Sequence, residues 1–357
     1  MPEAPERPLR RGWTTGACAA AAAKAAATAL LTGRFPDPVS IELPGGQCPA
    51  FPLALRASGS GWARAGVTKD AGDDPDVTHG ALVIAEVRGA PAGSGIAFWA
   101  GVGVGTVTRP GLALAVGEPA INPAPRAMIR AALEGVGAPD LEVTISIPGG
   151  AALAAKTLNA RLGILGGLSI LGTTGVVIPY SCSSWIHSIH RGVDVALAAG
   201  VTHIAAATGS RSEQAVQRLH GLSEVALIDM GDFAGALLKY LRAHPVPRLT
   251  LAGGLGKLVK LAQGHLDLHS ARSRLDGGAL AGQLTELGAP ETAIAVARSA
   301  ESMGEVVAML SPELRASLAR GIAEACREVA LATLAGGTAV DIAVFDREGA
   351  LLARTHL

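Results

Sequence analysis

The apolar and polar positions follow one pattern in the first half of the chain and another in the second. Up to about residue 175, short apolar segments are separated by turn residues, and the alternation over residues 142–147 is typical of a half-buried strand. An alanine-rich run after Gly16 predicts a helix that reaches about Leu31 and ends at Gly33. Further strands are predicted at residues 39–43, 51–57, 62–67 and 81–88. We therefore expect an amino-terminal α+β domain built on a mixed sheet.

The second half alternates strand-like and helix-like segments. The predicted helices are residues 183–199, 210–219 (capped by Ser210) and 233–242, and the predicted strands are residues 202–207, 224–228 and 248–252. Several helices at 276–333 and a strand at 338–345 follow. Such alternation predicts parallel strands with right-handed crossovers, so we expect a Rossmann-like parallel-sheet α/β domain. The boundary lies between about residues 176 and 200, and we divide the chain into domains 1–185 and 186–357.

Glycines and polar residues stand at the carboxyl ends of the predicted parallel strands. Ligands of open parallel sheets bind beyond these ends, where glycine admits close backbone approach and Asp229 can accept hydrogen bonds from ribose hydroxyls. The alternative is that these are ordinary strand-to-helix turns, since no dinucleotide fingerprint of the GxGxxG type is present. The candidate cofactor-binding residues are Thr208, Gly209, Asp229, Gly253, Gly254 and Lys257.

Residues 67–80 form a strongly acidic loop between two predicted strands. Four aspartates share it with Lys69 and His79, and carboxylates this close repel one another unless a cation, a proton or backbone donors compensate. One interpretation is a loop that holds a ligand or serves a reaction. The other is a solvated turn whose aspartates cap backbone N–H groups.

Three further segments carry features of binding sites. Thr14 and Thr15 precede the alanine-rich helix, where they can help bind an anion at the free N–H groups or simply cap the helix. The glycines of residues 95–106 fit a twisted or bulged strand better than a nucleotide loop. The glycine-rich segment 158–175, which contains Arg161, is expected to lie close to the acidic loop.

Composition narrows the classes of protein. The chain has 357 residues, 49% hydrophobic but only 3% aromatic, and a formal net charge of +0. That balance gives no general attraction to nucleic acid or anionic membranes. The four cysteines are far apart and form no CxxC pair, so neither a zinc site nor a disulfide scaffold is indicated, and a cytoplasmic setting fits best. His265 and His269 are spaced i, i+4 and would share a face of a helix, but a metal site usually needs a third ligand and Gly264 argues against one, so we expect polar packing and no protein-bound metal.

The amino terminus superficially copies a secretory signal. Residues 1–11 are expected to form a disordered tail, and three arginines precede the alanine run. Lys24 interrupts that run, alanine is weakly apolar, and Thr14 and Thr15 supply a helix start, so we expect a folded helix instead. No transmembrane span is expected, because no other stretch of about 18 strongly apolar residues occurs.

Residues 12–24, 67–80, 117–126 and 158–175 together resemble the cobalt-precorrin-5B C1-methyltransferase family of corrinoid biosynthesis. The resemblance continues in order through residues 208–213, 253–269 and 346–349, and so spans most of the chain. It implies methyl transfer from S-adenosyl-L-methionine to C1 of cobalt-precorrin-5B, giving cobalt-precorrin-6A in the anaerobic-type cobalamin pathway. The cobalt belongs to the substrate, and a homodimer and transfer of the product to other enzymes of the pathway are left open.

The resemblance also suggests roles for residues. A tetrapyrrole with many carboxylates calls for cations and helix N-termini, so the candidate substrate-binding residues are Thr14, Thr15, Lys69, Arg109, Arg126 and Arg161. The acidic loop would offset the sulfonium charge or accept a proton, with Asp70, Asp73 and His79 as candidate catalytic residues. Two alternative functions are a non-catalytic corrinoid carrier and a nicotinamide-dependent precorrin reductase. The absence of a GxGxxG dinucleotide fingerprint argues against the reductase.

Overall fold

The computed structural model describes residues 8–356, which divide into two compact units between Cys182 and Ser183. Both units are mixtures of helices and sheets, as the apolar pattern predicts. In chain order the first contains β1 (Gly12–Trp13), α1 (Thr15–Thr32), β2 (Val39–Ser40), β3 (Ala50–Phe51), β4 (Leu55–Gly59), β5 (Trp62–Thr68), β6 (Leu82–Gly89), β7 (Ile96–Ala100), β8 (Thr106–Val107), α2 (Pro123–Glu134), β9 (Leu141–Ser146), α3 (Gly150–Ala154), β10 (Ile164–Leu165) and β11 (Val176–Val177).

Helix α1 is the core of the first unit. Its alanines are almost completely buried, because their small side chains let the helix pack closely on β5, β6 and α2. The Thr14 hydroxyl caps it by accepting the N–H of Ala17 at 3.2 Å, and Gly33 ends it in the left-handed conformation. By length and composition α1 resembles a membrane span, but 72% of it is buried in the fold, as in the core helix of a folded domain.

The main sheet of the first unit has the order β4-β5-β6-β9-β7, antiparallel except for the β7–β9 pair. Two predicted strands are shorter than expected: 39–43 contributes only β2, and 51–57 is divided between β3 and β4. The expected disordered tail lies outside the described residues at 1–7. At 8–11 that prediction is wrong, because Arg10 is bonded to Asp70 and Asp73.

The second unit contains the alternating elements. In chain order they are α4 (Cys182–Ala198), β12 (His203–Ala207), α5 (Ser210–His220), a 3-10 turn (Glu224–Ala226), β13 (Leu227–Asp229), α6 (Ala234–Ala243), β14 (Arg248–Gly254), α7 (Leu255–Ala262), α8 (Gly277–Glu286), α9 (Glu291–Ser299), α10 (Met303–Ala308), α11 (Pro312–Leu334), β15 (Ala339–Phe345) and β16 (Leu351–Arg354). Strand β16 and helix α7 were not predicted from the sequence.

The second unit's sheet has the order β13-β12-β14-β15-β16, with all pairs parallel except β15–β16. Alternate residues of β12 face opposite sides: Ile204 and Ala206 pack with α4, α6, α7 and α11, whereas Ala205 and Ala207 pack with α5. Helix α5 therefore covers one face, and the other helices cover the opposite face. The direction of the connections reverses between β12 and β14.

Two local predictions in this unit are wrong. Gly209, not Ser210, occupies the cap position of α5, and the cap is not formed by a side chain. His265 and His269 do not share a helix face, because α7 ends at Ala262. The packing that ends α7 there includes a bond from the His265 N–H to the Lys260 carbonyl.

A charged cluster lies inside the second sheet. Asp341 is 0% exposed and accepts hydrogen bonds from Thr250 Oγ1 at 2.8 Å, Arg248 Nε at 3.2 Å and Arg354 Nε at 3.2 Å. His203 Nε2 lies 2.8 Å from the Thr250 hydroxyl, and the His220 ring meets the His203 ring edge-on with centroids 4.8 Å apart. The cluster connects β12, β14, β15 and β16 by side chains.

We expect the second unit to lose stability as the pH falls from about 6.5 to about 4. Burial, assisted by Arg248, lowers the pKa of His203 from 6.5 to about 4. The unfolded chain then binds more protons than the folded one in this window, so the stabilisation is complete above pH 6.5 and is lost on acidification. Denaturant titrations at a series of pH values test this, with His203→Gln flattening the dependence. A wild-type curve that is flat between pH 4 and 6.5 would contradict it.

Candidate functional site

The second unit contains a cavity of about 740 Å³ at the carboxyl ends of its parallel strands. Its walls come from the first turns of α5 and α7, from α10, from Arg315 of α11, and from residues 345–348 with Leu352. The volume lies within the range of about 300–1,000 Å³ that small-molecule sites occupy.

Topology places the cavity there. Helices α5 and α7 leave β12 and β14 toward opposite faces of the sheet, which opens a crevice between the two strand ends. The cap residues of these helices are Gly209 and Gly254. Glycine has no side chain that could accept a hydrogen bond from the N–H groups of the first turn. The crevice can therefore offer backbone donors to a ligand.

The rim of the cavity carries charges of both signs. Arg211 donates from Nη1 to the Arg347 carbonyl at 2.8 Å, which ties the turn after β15 to the start of α5. Asp346 stabilises that turn, because its Oδ1 accepts the N–H groups of Glu348 at 3.0 Å and Ala350 at 2.7 Å. The walls between these charges are apolar: Leu255, Met303, Val307, Phe345 and Leu352.

The structure brings some of the predicted cofactor-binding residues to this cavity and not others. Gly209 and Gly254 line it. Thr208 and Gly253 pack against each other, since a Cβ on Gly253 would lie 2.8 Å from Thr208 Oγ1. Lys257 forms an ion pair with Asp232 and lines a smaller adjoining cavity of about 330 Å³. Asp229, at the end of β13, lines neither cavity.

Several lining residues were missed from the sequence, among them Arg211, Arg315, residues 302–304, residues 307–308 and residues 345–348. One signal was present for the last group. Residues 346–349 follow a predicted strand, so the rule that placed candidates at strand ends applies to them as well.

In the acidic loop of the first unit, the chain itself satisfies Asp70 and Asp73. Arg10 binds Asp70 through both terminal nitrogens of its guanidinium, with Nη2 at 2.8 Å from Oδ1, and this interaction lowers the pKa of Asp70 to about 2. The Arg10 N–H donates to Asp73 Oδ2 at 2.7 Å. The N–H of Trp13 donates to the Asp70 carbonyl at 2.7 Å, so the segment before α1 lies along the loop.

The other half of the loop surrounds a buried cation. Lys69, whose side chain is only 1% exposed, forms an ion pair with Asp76. Burial opposes ionisation of Asp76, but Lys69 and Thr78 outweigh it, so its pKa lies below the ordinary value. Asp76 Oδ1 accepts from Thr78 N at 2.7 Å and Oγ1 at 2.6 Å, and His79 Nδ1 accepts from Ala71 N at 3.1 Å. These contacts favour a structural clamp, while roles for Asp70, Asp73 and His79 in catalysis stay a prediction.

The glycine-rich segment 158–175 ends beside this loop, as expected. The N–H of Thr14 donates to the Gly175 carbonyl at 3.0 Å, and Gly12 pairs with Val177 in the β1–β11 ladder. Asp74 Oδ1 accepts the N–H of Tyr180 at 2.8 Å.

Several of the predicted substrate-binding residues already form hydrogen bonds or ion pairs within the protein. Thr14 caps α1, and Thr15 Oγ1 accepts the Leu171 N–H at 3.0 Å. Arg126 donates to the Ile121 carbonyl at 2.8 Å and forms an ion pair with Glu118 at 2.7 Å. These contacts, like the burial of Lys69, show side chains that support local structure.

Arg109 and Arg161 lie side by side on the glycine-rich part of the first unit. Arg109 is exposed, and its Nη1 donates to the Arg161 carbonyl at 3.3 Å. A Cβ on Gly163 would lie 2.6 Å from the Arg109 side chain, so glycine is needed for this approach. Of the six predicted substrate-binding residues, Arg109 is the exposed one.

The chemistry of a metal centre is not assembled in the described part of the chain. Within residues 8–356, no group of three or more histidine, cysteine, aspartate or glutamate side chains is arranged to hold a metal ion.

Comparisons with known proteins identify relatives over nearly the whole chain. Family models match residues 2–179 (CbiD) and 267–356 (CbiD, C-terminal domain). A cobalt-precorrin-5B C(1)-methyltransferase of Paramagnetospirillum magneticum is 56% identical, covering 99% of this chain and 100% of the relative. One of Rhodospirillum rubrum is 58% identical, covering 98% of each. A crystal structure of the cobalamin biosynthesis protein CbiD from Archaeoglobus fulgidus is 30% identical, covers 74% of this chain and 83% of that one, and has a TM-score of 0.39. On this identity and coverage, the chain belongs to the CbiD family.

Proposed function

We propose that this protein methylates C1 of cobalt-precorrin-5B with S-adenosyl-L-methionine as donor, giving cobalt-precorrin-6A. The observation that carries the proposal is the 56% to 58% identity, over nearly full length, to proteins named for C1 methylation of that substrate. The cobalt enters as part of the substrate. A cytoplasmic setting, a homodimer and transfer of the product to other enzymes of the pathway stay predictions.

We place the methyl donor in the cavity of the second unit, whose sheet we interpret as Rossmann-like. Counting only this unit's strands, the order is 2-1-3-4-5, and ligands of such sheets bind where the order reverses. The cavity suits the donor: apolar walls for an adenine ring, uncapped helix starts, and arginines for a carboxylate. The first unit would then bind the corrinoid.

The chain's part in this reaction is to position the reactants and exclude water. S-adenosylmethionine, when bound, supplies an electrophilic sulfonium methyl group. Phe345 and Leu352 form an apolar part of the cavity wall, which disfavours water there. Backbone N–H groups at Gly209 and Gly254 can orient a ligand. We assign binding of substrate carboxylates to Arg109, which is exposed, and to Arg161 beside it, and the acidic loop either stabilises developing charge or holds the fold in place.

Methyl transfer tests the function directly. Purified protein, cobalt-precorrin-5B and methyl-labelled S-adenosylmethionine should give a labelled tetrapyrrole heavier by one methylene unit. Calorimetric titration should detect S-adenosylhomocysteine but not NADPH. Tight binding of the corrinoid without label transfer would favour the carrier, and NADPH binding would favour the reductase.

Gly254→Val should weaken S-adenosylhomocysteine binding by about tenfold or more while leaving the fold intact. Gly254 has φ −85° and ψ 160°, which valine adopts readily, and its Cβ would lie 3.8 Å from the Phe345 carbonyl. The added methyl groups would therefore occupy the cavity rather than clash with the backbone. Calorimetry measures the affinity, and a thermal melt checks the fold.

Asp229→Ala is the matched control, because Asp229 stands at a neighbouring strand end but outside the cavity. Its affinity for S-adenosylhomocysteine should equal that of the wild type. The reverse outcome, a loss in Asp229→Ala and none in Gly254→Val, would move the donor site toward β13.

A further inference from the structure

Arg315 lies in the first turn of α11 and lines the cavity. Its Nη2 donates to the carbonyls of Val307 at 3.1 Å and Leu310 at 3.3 Å, near the end of α10. Its Nε–H is buried and has no hydrogen-bond partner among residues 8–356. A buried donor without an acceptor is unfavourable, so the protein alone does not fully satisfy this side chain.

The charge of Arg315 is also uncompensated. Within the described part of the chain, no carboxylate lies within 4.0 Å of it. The position is unfavourable in a second way, because the start of α11 carries the positive end of the helix dipole. The two carbonyls offset this only in part, so a negatively charged group in the cavity would be stabilised there.

Resting on the function proposed above, we propose that Arg315 binds the α-carboxylate of the methyl donor. Nη2 is used by the two carbonyls, so the Nη1 N–H groups remain to donate to a carboxylate oxygen, and such a charge-assisted bond fixes the position of that end of the donor. The apolar side chains Val307, Phe345 and Leu352 line the same cavity and suit the adenine ring. Anchoring one end of the donor in this way limits how the sulfonium methyl can be presented.

The two other arginines of the cavity are weaker candidates. The Arg211 and Arg347 side chains are both exposed at the rim. An exposed ion pair gains little because water screens it. Arg315 is the half-buried one, so a bond from it should contribute more to affinity.

A pair of ligands that differ only in the carboxylate tests the assignment. S-adenosylhomocysteine has the carboxylate, and S-adenosyl-3-thiopropylamine is the same molecule without it. Calorimetry should show that Arg315→Gln weakens the first by about 10- to 100-fold and the second by less than about twofold. Arg320→Gln, an exposed arginine five positions along the same helix, should change neither.

Each remaining outcome decides the question. Equal loss for both ligands, or no loss for either, would mean that Arg315 only supports the end of α10. If Arg315→Gln does not fold, Arg315→Lys keeps the charge and must still lower the ratio of the two affinities. Failure of the wild type to bind either ligand would overturn the inference and the donor cavity together, whereas the label-transfer assay reports separately on the function.

Discussion

Asp76→Asn is expected to lower the free energy of unfolding of the first unit by about 3–5 kcal/mol. The change keeps the volume of the side chain and an acceptor for Thr78, but it removes the negative charge beside Lys69. The Lys69 side chain is 1% exposed, so its ammonium cannot turn to water without opening the loop. Chemical denaturation of the full chain, followed by a probe in the first unit such as Trp62, measures the loss.

Removing the other member of the ion pair, Lys69, should destabilise the unit less. That difference would identify the unpaired buried ammonium as the cause of the loss in Asp76→Asn. Lys69→Met leaves the Asp76 carboxylate, which is 25% exposed and still bonded to Thr78, so water can compensate part of its charge. The double variant should recover part of the loss of Asp76→Asn, because it contains no unpaired buried charge. Asp74→Asn keeps the oxygen that accepts the Tyr180 N–H, so it should change stability by about 0.5 kcal/mol or less.

The same experiment separates the two interpretations of the acidic loop. Asp70 is 44% exposed and accepts hydrogen bonds from Arg10 and from the Gly72 N–H, so a structural clamp predicts that Asp70→Ala lowers stability by about 1 kcal/mol. A large loss of methyl transfer in Asp70→Ala with an unchanged melt would support a catalytic role. Equal stability of Asp76→Asn and the wild type would instead contradict the buried ion pair.

The features that could be predicted from the sequence are those set by local residues. Helix α1 was predicted because Thr14 and Gly33 flank an uninterrupted alanine run, and its ends depend on contacts within a few residues. The alternation of the second half similarly predicts parallel strands, and the pairing of β12 with β14 and of β14 with β15 confirms that part. Gly209 and Gly254 were chosen because ligands of parallel sheets bind beyond the carboxyl ends of the strands, and both glycines line the cavity.

What could not be predicted depends on which distant segments meet. The sequence shows strand ends but not strand order, so Asp229 was grouped with Gly209 although the crevice opens between β12 and β14 rather than toward β13. Arg315 is about a hundred residues from Gly209 and has no local signal of a binding residue. Lys69 appears in the sequence as one more charge of a polar loop, and only the fold shows that it is buried against Asp76.

Asp341→Asn should destabilise the second unit by about 3–5 kcal/mol, for a reason that involves two cations rather than one. The ionised Asp341 carboxylate stands between Arg248 and Arg354 in the middle of the sheet, and both arginines donate to it. Burial opposes its ionisation, but the hydrogen bonds and charges of these partners outweigh it, so its pKa lies below the ordinary value. Without the carboxylate, the two guanidinium groups repel each other across the strands.

The size of the loss depends on whether the arginines can reach water. The arginine side chains are 27% and 32% exposed. A loss of stability of about 3 kcal/mol would mean that the guanidinium groups turn outward to water, and a loss of about 5 kcal/mol that they stay in the sheet. Arg354→Gln provides the comparison, since it leaves Asp341 paired with Arg248 and should cost less than Asp341→Asn. Because the cavity lies at the carboxyl ends of the strands and Asp341 lies near the start of β15, the folded variant should keep its affinity for S-adenosylhomocysteine. A loss of affinity without a loss of stability would assign Asp341 to the binding site instead of the sheet.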